Sequence, residues 1–211
     1  MRTVPVNEFF PLIAPVAEGC PEFVMRRAIV DTVNDICRRT GCVVSQAGFK
    51  TEKGRSHYGF DLPMGLKAES VKRLYCGGNR VRIANADELE RRYPDDFETY
   101  EGCPQYFFFR KPYTVQLVPT PDAEYECRMD ITVSVDNETT NIPEIFFTEY
   151  SDAVTYGVLS RVFAHAGQPY SNAAMATQYR VMYSKQLTFI KTEAAAGFQR
   201  TSGTVLFNRI V

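Results

Sequence analysis

The 211-residue sequence has no tryptophan and only two histidines, His57 and His165. It also lacks the patterns that most enzymes leave in sequence. There is no G-x-S-x-G elbow, no P-loop, no H-E-x-x-H and no dinucleotide-binding glycine pattern. Six cysteines are present (Cys20, Cys37, Cys42, Cys76, Cys103, Cys127), but none forms a C-x-x-C pair. With irregular spacing and so few histidines, a zinc site is not expected, and neither is any cofactor. The thiols are expected to be reduced and packed as small hydrophobes.

Charge of either sign is not in excess. Lysine plus arginine number 24 and aspartate plus glutamate 25, for a net charge of −1. That balance argues against a protein whose main task is gripping nucleic acid, though not against DNA passing nearby. No apolar run approaches the roughly 18 residues of a membrane span, so no membrane partner is expected. The N-terminal stretch is broken by Pro5, Pro11 and Pro15 and carries Glu8. It does not have the shape of a secretion signal, and synthesis in the cytoplasm is expected.

The remaining candidates for chemistry have simpler readings. "CGGN", Cys76 to Asn79, sits between two alternating runs and reads as a hairpin turn rather than a nucleophile loop. His57 falls in a strand edge or loop, and His165 in the last turn of a helix, where the dipole favours a cation. Asp95 and Asp96 read as a solvated loop. "FFFRKPY" sets aromatics beside Arg110 and Lys111, as a base-stacking platform would. Three consecutive phenylalanines cannot share one strand face, however, so at least one must enter a core or an interface. The arginine pairs of "MRRA" and "CRRTG" read as a solvated helix face or as partners across a subunit contact.

What the chain does have is a clear change of period. Residues 1–19 read as an extended strap. "CPEFVMRRAIVDTVNDICRRTG" reads as a helix: Pro21 and Glu22 suit its start, Ala28, Ile29, Val33, Ile36 and Cys37 recur at helical spacing, and Gly41 ends it. From Val43 to Asn141 short alternating runs replace the helical period, with a short helix at "DELERRY" capped by Asn85 or Asp87. Helices then return. Asn141 reads as a cap and Pro143 as a first-turn residue. The run from there to Gly167, a C′ glycine, is apolar over much of its circumference. "QPY" turns the chain, Ser171 or Asn172 caps the next helix, and Met175, Tyr179, Met182, Gln186, Phe189 and Ile190 are expected along its buried side. Gly157 in mid-helix points to another helix passing close.

The fold class expected is α+β. A helical bundle, made of an N-terminal helix plus a C-terminal helical hairpin, carries an inserted β-sandwich or small barrel and an extended C-terminal tail. The expected divisions are 1–42 (arm and first helix), 43–141 (β insertion), 142–197 (helical hairpin) and 198–211 (tail). The tail residues Thr204, Val205, Leu206, Phe207, Asn208, Arg209, Ile210 and Val211 have β character and no evident partner within the helical part.

This order of segments resembles the head-to-tail adaptor proteins of tailed bacteriophages, also called tail tubular protein A-like or gatekeeper proteins. The resemblance spans residues 20–190 and is carried by "ICRRTGCVV", "GCPQYFFF", "TVQLVPTP" and above all the C-terminal hairpin. There Pro143, Gly157, Leu159, Gly167, Gln168, Pro169, Tyr170 and Asn172 follow a packing and turn signature. Aromatic residues stand where the family commonly has tryptophan. The resemblance implies a non-enzymatic virion protein of the neck. It would form a ring, typically of twelve copies, beneath the portal protein and beside the tail nozzle or tube proteins. Double-stranded DNA would pass through that ring without specific binding. It further implies that residues 204–211 dock on the portal, and Gly157, Phe163 and Tyr170 become candidates for subunit packing. Two other readings stand beside it. One is a β-sandwich binding module such as a receptor-binding or tail-fibre-associated protein, which leaves the long helices unexplained. The other is a small enzyme with a scattered Cys76–His57 site.

Overall fold

The computed structural model describes residues 2–93 and 99–197. The expectations for Asp95 and Asp96 and for the tail residues 204–211 therefore lie outside the described residues. The chain begins with strand β1 (Thr3–Pro5), a 3₁₀ turn (Val6–Phe9) and one helical turn, α1 (Phe10–Ile13). Val6, Phe9, Ile13 and Ala17 are buried, so this segment is a strap on the core, as its composition suggests. Helix α2 (Glu22–Thr40) follows, with Ala28, Ile29, Val33, Ile36 and Cys37 on its buried stripe and Gly41 closing it at φ 60°. Only a residue tolerant of the left-handed region ends a helix this way.

The sheet strands are β2 (Val44–Lys50), β3 (His57–Gly59), β4 (Leu66–Cys76) and β5 (Asn79–Ile83), then, after the short helix α3 (Ala86–Arg92), β6 (Tyr106–Arg110), β7 (Thr114–Val118) and β8 (Glu126–Val135). They form one mixed sheet in the order β2-β8-β4-β5-β6-β7-β3, with only the β5–β6 pair parallel. This replaces the two facing sheets of the expected sandwich. The sheet curls: the Phe49 ring on its first strand stacks on Tyr58 of its last, centroids 4.8 Å apart. Gly77 and Gly78 make the two-residue turn between β4 and β5, both at positive φ. Asn85, not Asp87, caps α3, accepting a hydrogen bond from the Asp87 amide. Of the three phenylalanines, Phe107 enters the core.

The reading of Asn141 as a helix cap is corrected. Asn141–Pro143 is strand β9, which pairs with β1 as a separate two-stranded ribbon. The Thr3 side of the ribbon holds Pro143 extended, so it cannot start a helix. The helical run is also interrupted: α4 (Ile145–Thr148) is one turn, and α5 (Ser151–Val162) begins after a break at Glu149 and Tyr150. Helix α5 ends five residues before Gly167, so Gly167 is a loop glycine at φ 78° and His165 lies beyond the helix. The corner between α5 and α6 (Ala173–Ala195) is the loop 163–172, capped by Asn172, whose side chain accepts from the Met175 amide at 3.1 Å. The buried side of α6 is Ala176, Tyr183, Leu187, Ile190 and Ala194; Phe189 is exposed, and Met182 and Gln186 flank the stripe.

The thiol expectation fails at one pair. Cys76 and Cys127 lie opposite each other in the β4–β8 register and are disulfide-bonded. Their sequence separation of 51 residues gave no local signal. Helices α2, α5 and α6 touch one another, and α2 also lies on β8. Buried side chains of helices and sheet belong to one hydrophobic cluster. The buried Asn34 of α2 ties the layers together. It accepts from the Val135 amide at 2.9 Å and donates to Asn137 Oδ1 at 3.1 Å. Lys72 of β4 does the same at the far end, donating to the Ala194 carbonyl in the last turn of α6, where a cation is favoured.

Candidate assembly surfaces

Three features position the outer surface of the helical layer. The first is the crossing at Gly157. A Cβ at this residue would overlap Thr32 Cγ2 of α2 and come within 2.9 Å of Tyr183 Cε2 of α6. Both neighbouring helices therefore approach α5 at the same point, and only glycine fits between them. Phe163 and Tyr170 are also buried within the chain, 6% and 9% exposed, Phe163 stacking on Tyr179 at 5.8 Å.

The second feature is an open groove of about 800 Å³ across α2, α5 and α6. Its floor is Asp35, one carboxylate oxygen of which meets three donors. Tyr183 donates its hydroxyl proton at 2.7 Å, Arg39 lies at 3.5 Å and Arg161 at 3.8 Å. Burial and the hydrogen bond to Asp35 hold the Tyr183 phenol well above the usual tyrosine range. Arg27 pairs with Asp31 at the rim. Beside the groove Phe23 is 74% exposed, and Val181 and Phe189 of α6 stand exposed as well. Large apolar side chains on helices that are otherwise well packed mark a surface for protein contact.

The third feature is Glu69 on β4. It accepts from Ser134 at 2.6 Å, Arg38 at 3.0 Å and Lys111 at 3.2 Å. One carboxylate thus joins α2, two sheet strands and the β6–β7 turn. Burial pushes this carboxyl up, but the bonds from Ser134, Arg38 and Lys111 outweigh it and the group sits below its ordinary value.

Sequence reasoning placed Gly157 correctly as a point of close helix approach, because a mid-helix glycine needs a reason. It did not find Asp35 or Glu69. Apart from Arg39, four residues on from Asp35, their partners are 31 to 148 residues away in sequence, and no spacing rule reaches that far. The arginine pairs of the first helix are partly accounted for within the chain, through Asp31, Asp35 and Glu69. The scattered Cys–His site does not assemble. The Cys76 sulfur is bonded to Cys127, and His57 lies on the edge strand β3 with Nδ1 2.9 Å from Ser56 Oγ. Among the described residues no cluster of three or more His, Cys, Asp or Glu is placed to hold a metal ion. Among the described residues no helix is long and apolar enough to cross a membrane.

An α+β subunit whose exposed helices offer apolar side chains beside a charged groove has the character of an assembly component. The family model for the SU10 adaptor protein matches residues 14–205. The chain belongs to that family, which makes it a bacteriophage structural adaptor protein and a component of the virion; the family is not one of enzymes. No curated protein matches the chain.

Proposed function

We propose that the protein is the head-to-tail adaptor of a tailed phage: a ring, of twelve copies, that docks beneath the portal, surrounds the DNA channel and joins the tail nozzle or tube. Membership in the adaptor family over residues 14–205 carries this reading. The exposed Phe23, Val181 and Phe189 agree with it, because a lone soluble subunit gains nothing from them and a ring neighbour covers them. In this reading residues 204–211 dock on the portal as an added strand.

The test is co-expression with the portal of the same phage, followed by native mass spectrometry and negative-stain microscopy. A portal carrying an added ring gives the copy number directly. A folded chain that never joins the portal would sink the reading. Removal of residues 202–211 should leave the fold and its melting temperature unchanged while abolishing attachment. Unimpaired attachment of that truncation would remove the tail from the interface.

A further inference from the structure

The outer face of the sheet carries a second surface, different in kind. In β4, β5 and β8 the register sets Tyr75 opposite both Arg80 and Arg128, so these three side chains form a row across three strands. Strand alternation puts Arg82 beside Arg80 and Arg73 beside Tyr75 on the same side, because Leu74 and Val81 between them point into the core. The Arg128 guanidinium lies 5.9 Å from the Tyr75 ring centroid. Next to the row, Arg80, Arg82 and Arg92 line a groove of about 510 Å³ that has no carboxylate among its lining residues. Arg92 is steadied by Tyr106, to whose hydroxyl it donates at 3.0 Å.

None of these five arginines makes an ion pair among the described residues. Glu126 and Asp130 share the outer side of β8, and the register sets Asp130 opposite Arg73, but neither acid makes an ion pair with these arginines among the described residues; Asp130 accepts from Gln46 at 3.2 Å. None of the large exposed apolar side chains belongs to this row; Ile83, the one on β5, alternates to the side of Val81. A protein–protein interface needs an apolar centre. A surface of guanidinium groups with half-buried tyrosine and no apolar centre has instead the composition of a nucleic-acid contact.

We propose that this face contacts the phosphate backbone of double-stranded DNA without reading its sequence. The proposal rests on the adaptor reading, which brings duplex DNA to the protein, and it adds a place where the two touch. Arg80 and Arg82 are two residues apart on one strand, about 7 Å, so the pair can follow successive phosphates. Contacts of this kind release counterions and specify nothing, which suits a conduit that must hold DNA loosely.

The test uses the purified full chain and a short fluorescent duplex of arbitrary sequence, followed by anisotropy. The dissociation constant is expected between about 10⁻⁴ and 10⁻⁶ M at physiological salt, and a fourfold drop in salt should tighten it by roughly two to three orders of magnitude for five phosphate contacts. The exposed double variant R80E/R82E should lose binding by more than about tenfold, while R80K/R82K keeps most of it and K185E, on the far helix α6, is unchanged. Circular dichroism and melting confirm that each variant is folded. Failure of the wild-type chain to bind at low salt, or equal binding by R80E/R82E, would overturn the proposal. So would a preference for poly-glutamate over the duplex, which would assign the face to an acidic protein. Portal co-assembly is scored separately: a wild-type chain that binds DNA but never joins the portal refutes the adaptor reading and leaves the DNA contact standing.

Discussion

Four of the six arginines on α2, α5 and α6 make an ion pair among the described residues, whereas the arginines of the outer sheet face make none. On the helices, Arg27, Arg39 and Arg161 are matched within the chain by Asp31 and Asp35. On the outer sheet face, Arg73, Arg80, Arg82, Arg92 and Arg128 make no ion pair among the described residues; Arg92 and Arg128 are met by tyrosines instead. The helical layer spends its exposed area on Phe23, Val181 and Phe189, whereas the sheet face spends it on charge. A net charge of −1 therefore says little about local fields. Acids and bases balance over the whole sequence and still separate in space, and a partner meets only the local surface. On the proposed reading, the helical side meets protein and the sheet side a polyanion.

The sharpest way to break the helical half is at Gly157. Leucine there must displace both Thr32 and Tyr183, and a loss of about 3 kcal/mol or more is expected, with assembly lost alongside. Alanine is more informative. It gains about 1 kcal/mol of helix propensity over glycine, yet its Cβ still overlaps Thr32, so a net loss of about 1–2 kcal/mol is expected by thermal or urea melting. Adding Thr32→Ala should recover part of that loss, because the two sites share one contact. A G157A chain as stable as the wild type would show that the three helices do not cross as closely as described.

Glu69 tests whether the two halves depend on each other. Glu69→Gln removes the charge that holds Arg38 and Lys111, and a cost of about 1–2 kcal/mol is expected. The pH dependence follows from the lowered carboxyl. Its stabilising effect is complete above the unfolded value, near pH 4.3, and disappears as pH falls through the lower folded value. Wild-type stability should thus decline on acidification more steeply than that of E69Q. Parallel pH profiles would mean that the carboxylate does not join the layers. A smaller effect is expected at Tyr183→Phe. Asp35 keeps Arg39 and Arg161, and the loss of one hydrogen bond costs about 1 kcal/mol.

Much of this architecture was legible in sequence, and the failures have a common cause. The α2 stripe and its Gly41 terminator, the Gly77–Gly78 turn, the Asn172 cap and the strands of the middle region all rest on neighbours within a few residues. The resemblance to phage adaptors came from the same kind of local signature. The misreadings needed a distant partner. Asn141–Pro143 becomes a strand only because the N-terminal strap supplies β1. Cys76 meets Cys127 only in the sheet register. The buried side of α6 is set by where α5 and α2 lie, and Phe189 loses its place to Tyr183 and Leu187. The basic face escaped for the same reason. "NRVRI" announces two arginines on one side of a strand, but Arg73, Arg92 and Arg128 join them only in three dimensions.

The smallest expected effect tests how well the helical crossing is optimised. Thr32 is fully buried on α2, and its Oγ1 has no hydrogen-bond partner among the described residues, while its Cγ2 fills the space that Gly157 leaves open. A buried hydroxyl without a partner carries a desolvation cost that an isosteric methyl does not. Thr32→Val keeps the methyl that packs against Gly157 and replaces only the hydroxyl, so no new overlap is introduced. Stability should rise by about 0.5–1 kcal/mol, read as a shift in melting midpoint without a change in denaturant slope. A fall instead would mean that the hydroxyl is satisfied in the folded chain, and the crossing would then be held by a polar bond as well as by the close fit of three helices around one glycine.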